Sequence, residues 1–340
     1  MKYTIVLFFA FAMATSFTAC DSQTKHNHTE TADATAHNHG GEHAGEHIYT
    51  CPMGCEGSQS DKPGKCPVCG MELEHTDKPL NGKSYRMDYT SDPAQLEVNK
   101  PATLRFTPRE AGNDKSPVPL DVVHEKKMHL IVVSKDLSYF EHIHPEYNAD
   151  GSMQINVVPT AQSFTNGPGQ NETKFEHGGD YVMFIDYNPT GSTPQLARIP
   201  VNVKGKEKPA VKYTQEDLTW NGNGYTVHLS WDKPTLKANE SLTLKTTVMK
   251  NNKHVTDLDN YLGALGHMVV ISEDTEDYLH VHPLDSDTKG PDVSFHSSFK
   301  EPGLYRVFLQ FLHQGVVQTS DFTIRVHQGD PNATAGTHKH

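Results

Sequence analysis

The sequence predicts a mainly β chain, with two tandem all-β domains standing behind a small cysteine-rich module. Three observations carry this. From about residue 85 to residue 326, short apolar or alternating runs recur between Gly, Pro, Asn and Asp turns, without long helical periodicity. Two long stretches of the chain match each other. All five cysteines lie before residue 70, so neither stretch holds a buried-disulfide pattern.

The repeat is the strongest of these signals. Met128–Pro145 aligns with Gly266–Pro283 without a gap, Phe175–Phe184 with Phe299–Phe308, and Ala102–Phe106 with Leu242–Thr246. The first copy carries a longer loop, Ala161–Lys174. Gln154–Val158, Tyr181–Ile185, Tyr225–Leu229, Ser241–Thr247, Tyr305–Phe311 and Asp321–Val326 read as strands. The copies span residues 85–203 and 212–326, with a linker over 204–211. Each is the size of a seven-stranded immunoglobulin-like β-sandwich.

Ahead of the repeats, the first residues read as an export segment. Lys2 is followed by an apolar run, Ile5–Met13, too short to span a bilayer comfortably. Small residues then lead to Cys20, and Ser16–Cys20 resembles a bacterial lipobox, with Phe17 where Leu is commoner. The resemblance implies a signal peptide over residues 1–19 and lipidation at Cys20. It implies a mature chain anchored by lipid to a bacterial membrane, inner or outer, facing the periplasm or exterior.

Residues 20–47 are polar and small, unable to form a core, and contain six histidines (His26, His28, His37, His39, His43 and His47). They read as a flexible tether able to collect metal weakly. The tail over 327–340 repeats the theme with His338 and His340. The net charge of −12 argues against a nucleic-acid partner and mildly favours cations.

Residues 48–75 form a compact Cys/Pro/Gly module with Cys51, Cys55, Cys66 and Cys69, spaced C-x3-C-x10-C-x2-C. Thiolates are soft donors that take Cu(I), Zn(II) and similar ions, and the thioethers of Met53 and Met71 tilt the choice toward Cu(I) or Ag(I). Two structural disulfides would also staple so small a unit in an oxidising compartment. Tyr49, Cys51, Pro52, Met53, Pro63, Gly64, Cys66, Pro67, Cys69, Gly70, Met71 and Leu73 are similar to the short heavy-metal-binding domain of copper-transporting ATPases and periplasmic efflux adaptors. That family has His-Pro where this chain has Gly54 and Cys55, which removes an imidazole and adds a thiol. The resemblance implies metal association.

A second constellation is written twice. His129, His142 and His144 recur as His267, His280 and His282. In each copy two histidines one residue apart share a strand face. A symmetric turn between Asp136 and Leu137 sets His129 opposite His144, and its counterpart sets His267 opposite His282. Opposed Cβ atoms lie roughly 4.5–5.5 Å apart, so each triad converges on one face. Two readings fit: imidazoles that hydrogen-bond across the hairpin, or a Cu(II) or Zn(II) site in each copy, completed by water or a fourth side chain. His177, His296, His313 and Met268 are candidates for that fourth ligand. Tyr139, Phe140 and Tyr278 are expected to pack within the sandwiches.

The leading expectation is therefore a non-catalytic, extracytoplasmic metal-binding lipoprotein that buffers, sequesters or delivers copper. Zinc or silver is the alternative cargo, and a metal efflux or delivery protein a natural partner. An envelope scaffold or adhesion protein with a structural metal module is the competing reading. A metal-dependent enzyme lacks its hydrolytic motifs, and an efflux adaptor would need a long paired helical segment.

Overall fold

The structure, a computed structural model, describes residues 48–50, 60, 62–66, 73–76, 83–161, 171–281, 283–284 and 287–329. Cys20, the tether and most of the tail fall outside these residues, as do Cys51, Met53, Cys55, Cys69, Met71 and His282.

In the small module, β1 (Ile48–Thr50) pairs antiparallel with β2 (Glu74–Thr76). Tyr49 and Ser60 exchange both backbone hydrogen bonds, at 2.8 and 2.9 Å. The Leu73 amide donates to the Gly64 carbonyl at 2.7 Å, and Cys66 and Leu73 are buried.

The first domain contains β3 (Tyr85–Asp92), β4 (Leu96–Glu97), β5 (Ala102–Glu110), β6 (Met128–Ser134), β7 (Phe140–Ile143), β8 (Glu146–Tyr147), β9 (Met153–Val157), β10 (Glu172–Thr173), β11 (Gly179–Tyr187) and β12 (Gln195–Lys204). Its sheets run β10-β9-β5-β3, with β8 also on β9, and β4-β12-β11-β6-β7. The second domain contains β13 (Thr219–Gly222), β14 (Tyr225–Trp231), β15 (Ser241–Lys250), β16 (Lys253–His254), β17 (His267–Ser272), β18 (Tyr278–Val281), β19 (Asp292–Ser298), β20 (Gly303–His313) and β21 (Val316–Val326). Its sheets run β13-β14-β15-β16, with β19 on β15, and β18-β17-β20-β21. The described residues thus form two β-sandwiches in tandem, as the sequence predicts.

Alternation along the strands builds the two cores. In the first, Leu104, Phe106 and Ile155 of one sheet meet Leu130, Val132, Met183 and Ile185 of the other. In the second, Leu244 and Phe295 meet Met268, Val270, Val307, Leu309 and Phe311. Each fully buried side chain of this size contributes about 1.5–3 kcal/mol relative to exposure.

The central strands are unusual in being buried on both faces. All seven residues of β6 and all six of β17 are buried. The second face of each is covered by the other domain. Ile131, Val133, Leu137, Val182 and Phe184 of the first domain join Val269, Ile271 and Phe308 of the second in a third core. Phe140 stacks on Phe308 at 4.2 Å between ring centroids, and Tyr278 stacks on Phe184 at 4.6 Å. This corrects the expectation for two of the three aromatics. Tyr139 packs against the first domain's own core, but Phe140 and Tyr278 pack between domains, because their strand face looks outward from the sandwich.

The two hairpin turns are built alike. Asp136 Oδ1 accepts from the Ser134 and Ser138 hydroxyls at 2.6 and 2.7 Å. Asp274 Oδ1 accepts from the Ser272 hydroxyl at 2.5 Å and the Glu276 amide at 3.0 Å. Leu137 and Thr275 take positive φ at 56° and 66° to close these turns. The second turn also rests on the first domain. Lys135 Nζ donates to the Asp274 carbonyl at 2.7 Å, and Arg198 Nε to the Thr275 carbonyl at 2.8 Å.

Candidate metal centres

The hairpin turns set the register of the histidine strands. Ile131 faces His142 and Val133 faces Phe140 in the β6–β7 ladder; Val269 faces His280 and Ile271 faces Tyr278 in the β17–β18 ladder. Odd-numbered residues of β6 and β17, and even-numbered residues of β7 and β18, therefore look out of the sandwiches. That outward face is the interdomain one, so the histidines of both copies point into the same space.

Among the described residues, His267 and His280 of the second copy join His129, His142 and His144 of the first in one cluster. His129 lies 5.3, 5.1 and 5.2 Å, between ring centroids, from His142, His144 and His280. His142 lies 4.6 Å from His144, 5.4 Å from His280 and 6.2 Å from His267. His267 and His280 are 6.0 Å apart. Ligand atoms of His129, His142 and His144 fall within 4.8 Å of one another. The first triad converges on one face, and because a sandwich face rich in Val, Ile and Phe cannot stay in water, covering it brings His267 and His280 of the second copy beside that triad; His282 lies outside the described residues.

Hydrogen bonds fix the imidazoles in a crossed pattern. His129 Nε2 donates to the Val123 carbonyl at 3.0 Å, and His267 Nε2 to the Tyr261 carbonyl at 2.8 Å. Those carbonyls belong to matching turns, Val123–Lys126 and Tyr261–Ala264. The second histidine of each hairpin reaches the other domain. His142 Nδ1 bonds Gln310 Oε1 at 2.9 Å, and His280 Nδ1 donates to Asp186 Oδ2 at 3.0 Å. The Tyr278 hydroxyl donates to the same carboxylate oxygen at 2.7 Å.

Burial sets the protonation. It pushes His129 and His267 down to about 4, against the pull of their backbone carbonyl partners. Burial, with repulsion from neighbouring imidazoles, holds His142 and His280 well below the ordinary range. Burial lifts Asp186 to about 6, although the Tyr278 hydroxyl and His129 favour its charged form. Near neutral pH His129, His142, His267 and His280 are thus neutral imidazoles, the form that ligates metal.

The fourth-ligand candidates lie elsewhere. His296 Nε2 meets the Ser241 hydroxyl at 2.8 Å. His313 bonds the Tyr225 hydroxyl at 2.7 Å and Asp257 at 3.1 Å. Met268 is in the second core, and His177 precedes β11 at the end away from Asp186. Sequence reasoning missed His124, whose ring is 6.3 Å from His129 and 5.9 Å from His267. Its aligned position in the second copy is Leu262, so the repeat could not reveal it. Asp186 and Gln310 differ from each other and escaped for the same reason.

The fold is that of a tandem β-sandwich protein, and the stretch ahead of it matches a heavy metal binding domain. The chain belongs to the family described as Domain of unknown function (DUF8832), whose profile matches residues 81–205 and again 219–328. The profile described as Heavy metal binding domain matches residues 48–76. No curated protein matches the chain.

Among solved structures, the Yersinia pseudotuberculosis adhesin InvE matches at 10% identity and a TM-score of 0.21, covering 70% of this chain and 58% of its own. The Escherichia coli adhesin FdeC matches at 11% identity and 0.23, covering 76% and 71%. Domains 4 and 5 of the S-layer protein SbsC match at 14% and 0.19, covering 72% and 98%. The chain thus spans just over half of the InvE structure, and scores this low leave function to its own residues.

Proposed function

We propose that this chain is an extracytoplasmic lipoprotein that binds a soft heavy-metal ion and buffers, sequesters or hands it on without catalysing a reaction. Cu(I) is the favoured cargo, with Ag(I) or Zn(II) as alternatives. One observation carries the reading: the heavy metal binding domain over residues 48–76, within which the chain places four cysteines and two methionines. Cys51, Cys55, Cys66 and Cys69 supply thiolates, and Met53 and Met71 supply thioethers that hard ions reject. The lipobox-like Ser16–Cys20 supports attachment to a membrane through Cys20, with the ion held close to its surface. A metal efflux or delivery protein is the natural recipient.

The test is a titration of the mature chain with Cu(I), Ag(I) and Zn(II) against competing chelators under reducing conditions. Tight Cu(I) binding is expected, and replacing Cys51, Cys66 and Cys69 with Ser abolishes it. A reduced chain that binds none of these ions, with the native cysteines found in two disulfides, overturns the reading. Labelling with radioactive fatty acid checks the anchor: label lost in Cys20→Ala is expected, and label unchanged in that variant refutes lipidation there.

A further inference from the structure

The interdomain cluster contains a contact that neutral imidazoles cannot make alone. The Val123 carbonyl can only accept, so His129 Nε2 carries the hydrogen of their 3.0 Å bond and Nδ1 of that ring is a lone pair. Gln310 Nε2 donates to the Thr319 hydroxyl at 3.2 Å, which turns Oε1 toward His142. His142 Nδ1 therefore donates to that oxygen at 2.9 Å, and its Nε2 is also a lone pair. These two lone pairs, His129 Nδ1 and His142 Nε2, face each other at 3.0 Å. A cation shared between them turns the conflict into two bonds.

The spacing fits such a cation. Two nitrogens held at about 2.0–2.1 Å by one tetrahedral ion are roughly 3.3 Å apart, with ring centroids roughly 5 Å apart. His129, His142 and His280 stand 5.2–5.4 Å apart, and His144 is 5.1 Å from the first and 4.6 Å from the second. The outer partners are those of metal-bound histidines: a backbone carbonyl on His129, an amide on His142 and a buried carboxylate on His280. Asp186 also supplies a negative charge to set against a divalent ion.

We propose that this cluster is a second metal site, distinct from the cysteine module, which takes a borderline divalent cation of the Cu(II) or Zn(II) type on imidazoles contributed by both domains. His129 through Nδ1, His142 through Nε2 and His144 bind from the first domain, with ligand atoms within 4.8 Å of one another, and His280 completes the set from the second. Imidazole suits these ions better than Cu(I), so the two sites sort cargo by oxidation state and softness. Ligands from both sandwiches make the bound ion a clamp across the interface.

The test uses the mature full-length chain with Cys51, Cys55, Cys66 and Cys69 changed to Ser. Stripped of metal, incubated with Cu(II) or Zn(II) and desalted, it is expected to retain at least one ion per chain. Electron paramagnetic resonance of the Cu(II) form is expected to show hyperfine splitting from several imidazole nitrogens. In the same background His142→Asn and His280→Asn, one from each domain, each weaken binding by roughly a hundredfold or more. Metal-free melting of every variant is recorded, so that loss of fold is not read as loss of ligand.

A cysteine-free chain that retains no ion, or an oxygen-only Cu(II) spectrum, overturns the proposal. So does His280→Asn binding as tightly as its parent, which would place the site in the first domain alone. The cysteine-free background keeps the two readings apart. Retention there that His142→Asn and His280→Asn each diminish, alongside failed Cu(I) binding by the intact chain, would leave this site standing and remove the soft-metal function.

Discussion

Asp186 and Gln310 hold the same place in the two copies, each opposite the first histidine of its own hairpin and each bonded to the second histidine of the other. One is an acid and the other a neutral amide, so the cluster is symmetric in shape and asymmetric in charge. Asp186→Asn keeps the shape and removes the charge. It is expected to weaken divalent-metal binding about 10- to 100-fold without lowering the melting temperature of the metal-free chain. Gln310→Glu is expected to strengthen binding. Competition with a chelator measures both, and unchanged affinity in Asp186→Asn would exclude the carboxylate from metal binding.

The buried imidazoles predict the pH dependence of the metal-free fold. His129 and His267 sit at about 4 and His142 and His280 well below 6.5, so the unfolded chain binds protons that the folded chain refuses. Stability is therefore full above about 6.5 and is lost as pH falls toward 4. Asp186, lifted from 3.8 to about 6, acts in the opposite sense, but one acid does not reverse four imidazoles. Each net proton changes stability by about 1.4 kcal/mol per pH unit. Urea midpoints at pH 7, 6 and 5 should fall in that order, and a flat series would contradict the buried neutral state.

Phe308 belongs only to the interdomain core, where it stacks on Phe140. Phe308→Ala is expected to lower stability by about 3–5 kcal/mol. Because it leaves both sandwich cores intact, it should also split urea unfolding into separable steps. A single transition with an unshifted midpoint would show that the third core contributes little.

Asp136 ties the first hairpin turn to the linker, since its Oδ2 accepts from the Val211 amide at 2.8 Å while Oδ1 serves the serines. Asp136→Ala is expected to cost about 1–3 kcal/mol, and Asp136→Asn less. Thermal unfolding of the two variants checks the order. Equal losses would mean that the charge, and not the acceptor geometry, holds the turn.

The hairpin geometry was legible because the repeat supplied its own control. An ungapped match from Met128 to Pro145 fixed the turn, and the turn fixed which histidines share a face. The meeting of the two copies was written more faintly. Met128–Ser134 and His267–Ser272 lack the polar alternation of a half-solvated strand, which signals burial on both faces but does not name the covering surface. Asp186 and Gln310 were illegible for a simpler reason. Their role comes from a partner domain, and only the folded interface brings Asp186 to His280 or Gln310 to His142.

The crossed contacts have a further consequence. Phe140 meets Phe308 as Tyr278 meets Phe184, and His142 meets Gln310 as His280 meets Asp186. Residue for residue, this is the isologous geometry of a two-fold homodimer, achieved within a single chain. Separate subunits would assemble such a centre only above their dissociation constant. Joined by the single stretch of chain between β12 and β13, the halves meet at a fixed effective concentration, so the centre persists however dilute the protein becomes. Covalent linkage also releases the halves from having to be identical, and the single carboxylate at Asp186 is an asymmetry that two separate copies of one subunit could not encode.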